Sequence, residues 1–154
     1  MNRTRALRTI AMAVAATLAA GVPSANAATL QGKTDGGTRI TLKRSGSKVS
    51  QIKTAVPAMC AETTGSGRTR AGSELFRPPG SFTVNRERKT KALQPAALNQ
   101  GIEATKNYAV KLTAVGQRAV RGELSVNFSF LIPDLLRPMP YIYSCQGTTT
   151  FTAR

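Results

Sequence analysis

The chain contains no histidine, which removes most familiar catalytic constellations at once. A serine or cysteine nucleophile paired with an imidazole base cannot be assembled. The carboxylates are Asp35, Glu62, Glu74, Glu87, Glu103, Glu123 and Asp134, and no spacing brings two of them together on one strand as an acid and base pair. A serine–lysine hydrolase needs a Ser-x-x-Lys helix start, and Ser45-Gly46-Ser47-Lys48 reads instead as a hairpin turn. Phosphate-loop and dinucleotide fingerprints are absent. Calcium wants a cluster of acids, and two cysteines without histidine do not complete a zinc site. No catalytic residue, metal or cofactor is therefore assigned, and the expectation is a protein that is not an enzyme.

Disulfide chemistry and electrostatics remain. Cys60 and Cys145 are the two cysteines, and in an exported chain an even count reads as a disulfide. Lysine and arginine total 22 against seven acids, a formal net charge of +15. Such an excess attracts polyanions over long range: wall polymers, acidic glycans, anionic lipid or nucleic acid. The candidate anion-binding residues are Arg68, Arg70, Arg77, Arg86, Arg88, Lys89 and Lys91, with a merely solvated basic surface as the competing reading. Nucleic acid is disfavoured, because stacking aromatics should accompany the cations, and the chain has no tryptophan and few other rings.

The compartment follows from the N-terminus. Arg3, Arg5 and Arg8 precede an apolar, alanine-rich run from Ile10 to Val22. Pro23-Ser24 breaks that run, and Ala25-Asn26-Ala27 has the small-x-small form of a signal peptidase site. The run is short of the roughly 20 residues that a spanning helix needs. The expectation is a cleaved signal helix, residues 1–27, ahead of one secreted domain, residues 28–154, with no transmembrane segment. Cleavage would take the net charge from +15 to +12.

The elements that must position these groups read as strands. From Val120 to Phe130 apolar residues and Gly122 fall on even numbers, and polar residues fall between them, so one face is buried and the other wet. Tyr108, Val110, Leu112 and Ala114 alternate in the same phase over Asn107 to Val115. Directly paired residues share a face, so parity demands an odd turn, Gly116-Gln117-Arg118, pairing Leu112 with Gly122 and Val110 with Leu124. Tyr141 to Arg154 alternates as well, with Cys145 on the inner face. Earlier strands are expected over Ala28 to Lys33, Arg39 to Lys43, Lys48 to Val56 and Ser81 to Asn85. The phase of Val49 against Ile52 requires a bulge near Ser50-Gln51. Pro57 should end the third strand.

The remaining segments carry weaker patterns. Residues 61–81 read as a long loop with a short strand near Glu74 to Arg77, and residues 92–105 are ambiguous: Pro95 suits the opening of a helical turn, but Gly101 and the weak periodicity argue against a helix of any length. Leu131 to Pro140 reads as a connection packed on the domain through Leu131, Ile132, Leu135, Leu136 and Met139. Together these features predict an all-β protein, an antiparallel β-sandwich or partly open barrel with one disulfide.

The chain resembles a group of small secreted actinobacterial β-sandwich proteins without established activity. The resemblance rests on the signal peptide, Gly32-Lys33, Val49 to Cys60, Gly80-Ser81-Phe82, Gly122, Cys145-Gln146-Gly147 and Phe151-Thr152-Ala153-Arg154. It implies a disulfide-linked sandwich and transfers no catalytic residue. The functional expectation is a secreted binding or structural module drawn to anionic cell-envelope polymers. The alternative is an inhibitor-like module whose 61–81 loop engages an extracellular protein.

Overall fold

A computed structural model describes residues 27–133, 136 and 139–154. The expected signal helix, and Asp134 and Leu135 of the late connection, lie outside the described residues. The domain is all-β and antiparallel. Its strands are β1 (Ala28–Thr34), β2 (Arg39–Ser45), β3 (Lys48–Glu62), β4 (Thr69–Phe76), β5 (Ser81–Thr83), β6 (Glu87–Pro95), β7 (Glu103–Val115), β8 (Ala119–Ile132) and β9 (Tyr141–Ala153), with one 3-10 turn at Ala97–Asn99.

All nine strands belong to one sheet in the order β4-β3-β2-β1-β9-β8-β7-β6, with β5 beside β3. β3 and β9 also pair directly, from Ala58–Gly147 to Glu62–Tyr143, so the sheet forks. β9 pairs with β8 along its whole length, and its other edge serves β3 first and β1 later. The β1–β2 hairpin fills the fork as a wedge. Pro57 does not end β3 as expected. The register leaves it between Lys53, which pairs with β2, and Ala58, which pairs with β9. At that handover a missing N–H is tolerated.

The alternation of the sequence becomes the core. Val120, Leu124, Val126, Phe128 and Phe130 of β8 are buried with Tyr108, Val110 and Leu112 of β7 and Tyr143, Cys145 and Phe151 of β9. Burying a side chain of this size is worth about 1.5–3 kcal/mol. Leu112 pairs with Gly122 and Val110 with Leu124 across the three-residue turn, as parity demands. The bulge falls where the phase change required it: the β2–β3 register slips between Thr41–Lys53 and Lys43–Ser50, and Gln51 takes a φ of 52°. Cys60 and Cys145 oppose each other in the β3–β9 ladder and form the disulfide, closing 85 residues at the base of the fork.

Two segments depart from expectation. Residues 61–81 are not one long loop, because Thr69–Phe76 forms an eight-residue strand paired with β3 from Thr54–Phe76 to Ala61–Thr69. Thr69 to Ser73 are exposed, so an edge strand built from small and polar residues showed no alternation to read. The ambiguous 92–105 stretch holds the end of β6, a tight turn and the start of β7, paired as far as Pro95–Glu103. Gln100 and Gly101, with φ of 51° and 80°, turn the chain between them.

The sheet curls round one core until its free edges, β4–β5 and β6, come together, giving a partly open barrel. No backbone ladder joins β4 to β6; side chains make the seam. Lys106 Nζ lies 2.6 Å from Glu74 Oε1, both residues fully buried. Glu74 also accepts from the backbone amides of Leu75, Ala97 and Leu98, and Lys106 donates to Pro95 O. Gln94 Nε2 donates to Arg77 O, and Arg88 Nη1 donates to Ser81 O. Tyr108 donates its hydroxyl to Gln94 Oε1 beneath the seam. Burial, with the Glu74 carboxylate nearby, pushes that hydroxyl above the usual phenol range.

Candidate anion-binding end of the barrel

The strand turns at one end of the barrel are where unpaired cations gather. β2 ends at a tight turn through Gly46, whose φ of 58° suits glycine. Arg44, one residue before the end of β2, spans two turns: its Nε donates to Gly46 O at 3.0 Å, and its Nη1 donates to Gly116 O and Ala119 O at 3.2 and 2.9 Å. The guanidinium is thus fixed by three carbonyls, and no carboxylate among the described residues forms an ion pair with it. Arg118 sits in the β7–β8 turn that parity made three residues long. Arg154 follows β9 and is held by reciprocal backbone hydrogen bonds with Gln31.

These three arginines line one groove of about 520 Å³ with Ala28, Leu30, Gly46 and Gln117. Lys48 opens β3 on the far side of the same turn. Arg86 follows Asn85, whose backbone amide donates to Leu112 O and whose Oδ1 accepts from the Ala114 amide. The end therefore collects Arg44 and Lys48 from one turn, Arg86 and Arg118 from two others, and Arg154 from beyond β9. Guanidinium groups suit carboxylate and phosphate because their planar donors match two oxygens at once.

The seven residues expected to form one patch are divided by the fold. Arg86 belongs to the basic end. Arg88 is exposed and lies 5.9 Å over the Phe82 ring. Lys89 and Lys91 point outward on β6 and border a second, shallower groove, with Asn107 and Ala109 of β7 and Ser125 and Asn127 of β8. Ala109 and Ser125 are short, and that leaves the depression. Arg77 follows β4, where its carbonyl accepts from Gln94. Arg68 and Arg70 lie at the opposite end of the barrel, each 5.5 Å over a tyrosine ring, Tyr141 and Tyr143 respectively.

Glu87 and Glu123 border one groove on either side of Lys111, and three other carboxylates are held by local partners. Glu74 is taken by Lys106. Asp35 accepts from the Thr149 hydroxyl and the Gly36 amide, and the Thr149 bond holds its carboxyl below the usual range. Glu62 accepts from the Ser66 and Thr64 hydroxyls, and the Ser66 bond lowers it in the same way. Among the described residues no group of three or more histidine, cysteine, aspartate or glutamate side chains could hold a metal ion. No helix among them is long and apolar enough to cross a membrane.

Fold and surface together define an all-β, disulfide-linked, partly open barrel with a basic end. No family model matches the chain, and no curated protein or solved structure matches it.

Proposed function

We propose that the chain is exported and acts as a non-enzymatic binding module that holds anionic cell-envelope polymers at the basic end of its barrel. One observation carries this reading. Arg44, Arg118 and Arg154 converge on one groove, while the sole ion pair among the described residues joins Lys106 to Glu74 in the core. Among the described residues no carboxylate pairs with these three arginines, so no salt bridge has to break before they bind. Single exposed ion pairs are weak, about 0.2–1 kcal/mol each. Cations spread over several turns thus suit a polymer that presents many anions better than a single small one. The signal peptide and the secreted proteins that the chain resembles support the same compartment.

Retention of the secreted protein on immobilised polyphosphate and on an anionic wall preparation tests the reading. The bound protein should elute steeply with salt, since screening shortens to a Debye length of about 10 Å at 0.1 M. Arg118→Glu with Arg154→Glu should elute at much lower salt than the parent. Binding indifferent to salt and to both substitutions would overturn the proposal.

A further inference from the structure

The opposite end of the barrel has a contrasting surface. The late connection was expected to pack on the domain through Leu131 and Met139, yet they are 54% and 71% exposed. Leu131 pairs with Ile142 across the β8–β9 ladder, and Ile142 is also exposed. The β6–β7 turn lies toward the same end, since β7 and β8 run antiparallel with their ladder reaching Asn107–Asn127, and it adds exposed Ile102. Among the described residues Leu131, Leu136, Met139, Ile142 and Ile102 thus expose apolar side chains toward this end, whereas toward the basic end Val115 is the exposed residue of this kind. Just behind them Arg68 and Arg70 lie over Tyr141 and Tyr143. Apolar tips backed by amphipathic rings and long cations are the arrangement that suits a membrane–water interface.

We propose that this apolar end docks on an anionic lipid surface, with Leu131, Ile142, Met139 and Ile102 entering the headgroup boundary and Arg68 and Arg70 at headgroup level. This goes beyond polymer binding and uses other residues. Three features favour lipid over a second copy of the chain. Two strongly basic molecules meeting end to end repel each other. The tips of a few hairpins offer far less than the roughly 1,600 Å² that a stable protein interface buries. The same net charge draws the molecule toward an anionic bilayer. Glu103 is an exposed carboxylate at this end, and Glu62 there is occupied by Ser66 and Thr64.

Co-sedimentation of the full secreted protein with vesicles tests the proposal. Equimolar phosphatidylglycerol and phosphatidylcholine vesicles are compared with vesicles of phosphatidylcholine alone. The parent should sediment with the first and not the second. Two variants, Leu131→Ser with Ile142→Ser and Ile102→Ser with Met139→Ser, should each bind at least about tenfold more weakly. Both should keep the disulfide, the parental unfolding midpoint and full retention on polyphosphate, which separates this surface from the basic end. The second pair lies outside the β8–β9 ladder and guards against loss of fold in the first. Failure of the parent to sediment with the anionic vesicles would overturn the proposal. So would folded variants that sediment like the parent, or a dimer that these substitutions dissociate without any vesicle binding.

Discussion

Lys106, on β7 beside the free edge β6, reaches Glu74 on the other free edge, β4, through an ion pair 2.6 Å long that no solvent reaches. Each partner is further satisfied by backbone groups of the β6–β7 turn, so the pair closes the barrel where no ladder does. Removing one partner strands a buried charge. Glu74→Ala or Lys106→Ala should therefore cost about 3–5 kcal/mol in denaturant unfolding. Replacing both, Glu74→Leu with Lys106→Met, should recover most of that loss, because an apolar pair of similar volume carries no desolvation penalty. A double variant no more stable than the single ones would show that the seam depends on the pair's hydrogen bonds to the turn.

The disulfide closes 85 residues. On the chain-entropy account, a loop of that length contributes about 4–5 kcal/mol by restricting the unfolded chain. Cys60→Ser with Cys145→Ser, or a reductant, should lower the unfolding midpoint accordingly. A midpoint that does not respond to reductant would contradict this.

Glycine at the fork answers to space rather than to turn geometry. A Cβ on Gly32 would lie 1.9 Å from Thr152 O, and one on Gly147 would lie 2.6 Å from Pro57 O. Both obstacles are backbone, so no side chain can swing aside. Gly32→Ala and Gly147→Ala should each destabilise by about 1–3 kcal/mol or more, whereas Gly36→Ala, with no atom nearer than 3.8 Å, should be nearly neutral. Thermal unfolding of the three variants provides the comparison.

Acid should loosen the molecule at two known points. The carboxyls of Asp35 and Glu62 are lowered by the Thr149 and Ser66 hydroxyls. A depressed folded-state value contributes stability that is complete above the ordinary carboxylate pKa of about 4. That contribution is lost as pH falls through the lower folded value. Stability against pH should therefore be flat from neutral to about 4 and decline below it, and the decline should shrink in Asp35→Asn with Glu62→Gln. A decline of the same depth in that variant would assign the acid sensitivity to other groups.

Where one face was buried and the other wet, the strands could be read residue by residue. The period of two in Val120 to Phe130 and Tyr141 to Ala153 survives intact, and the same parity located the turn at residues 116–118 and the bulge beside Gln51. Lys106 and Glu74 were in phase with Tyr108 and Phe76, but a charge at a core position resembles a break in the pattern. Their pairing is visible only when the distant edges meet. The Thr69 to Ser73 half of β4 has no buried side chain to carry a signal. The basic end was hidden for a different reason: Arg44, Arg118 and Arg154 are isolated in sequence, and only the gathering of turns brings them together.

The fork has a consequence for the order of folding. β9 is the last strand of the described chain, yet it pairs with β1, β3 and β8 and carries Cys145. A chain emerging N-terminus first can form the β1–β2 and β6–β7 hairpins early, because their contacts are local. The wedge finds its second edge, and the disulfide its second sulfur, only when β9 arrives. Contacts of such long sequence separation are slow to form. Until then β1, β3 and β8 expose unpaired edges, and the early strands wait open for their partner.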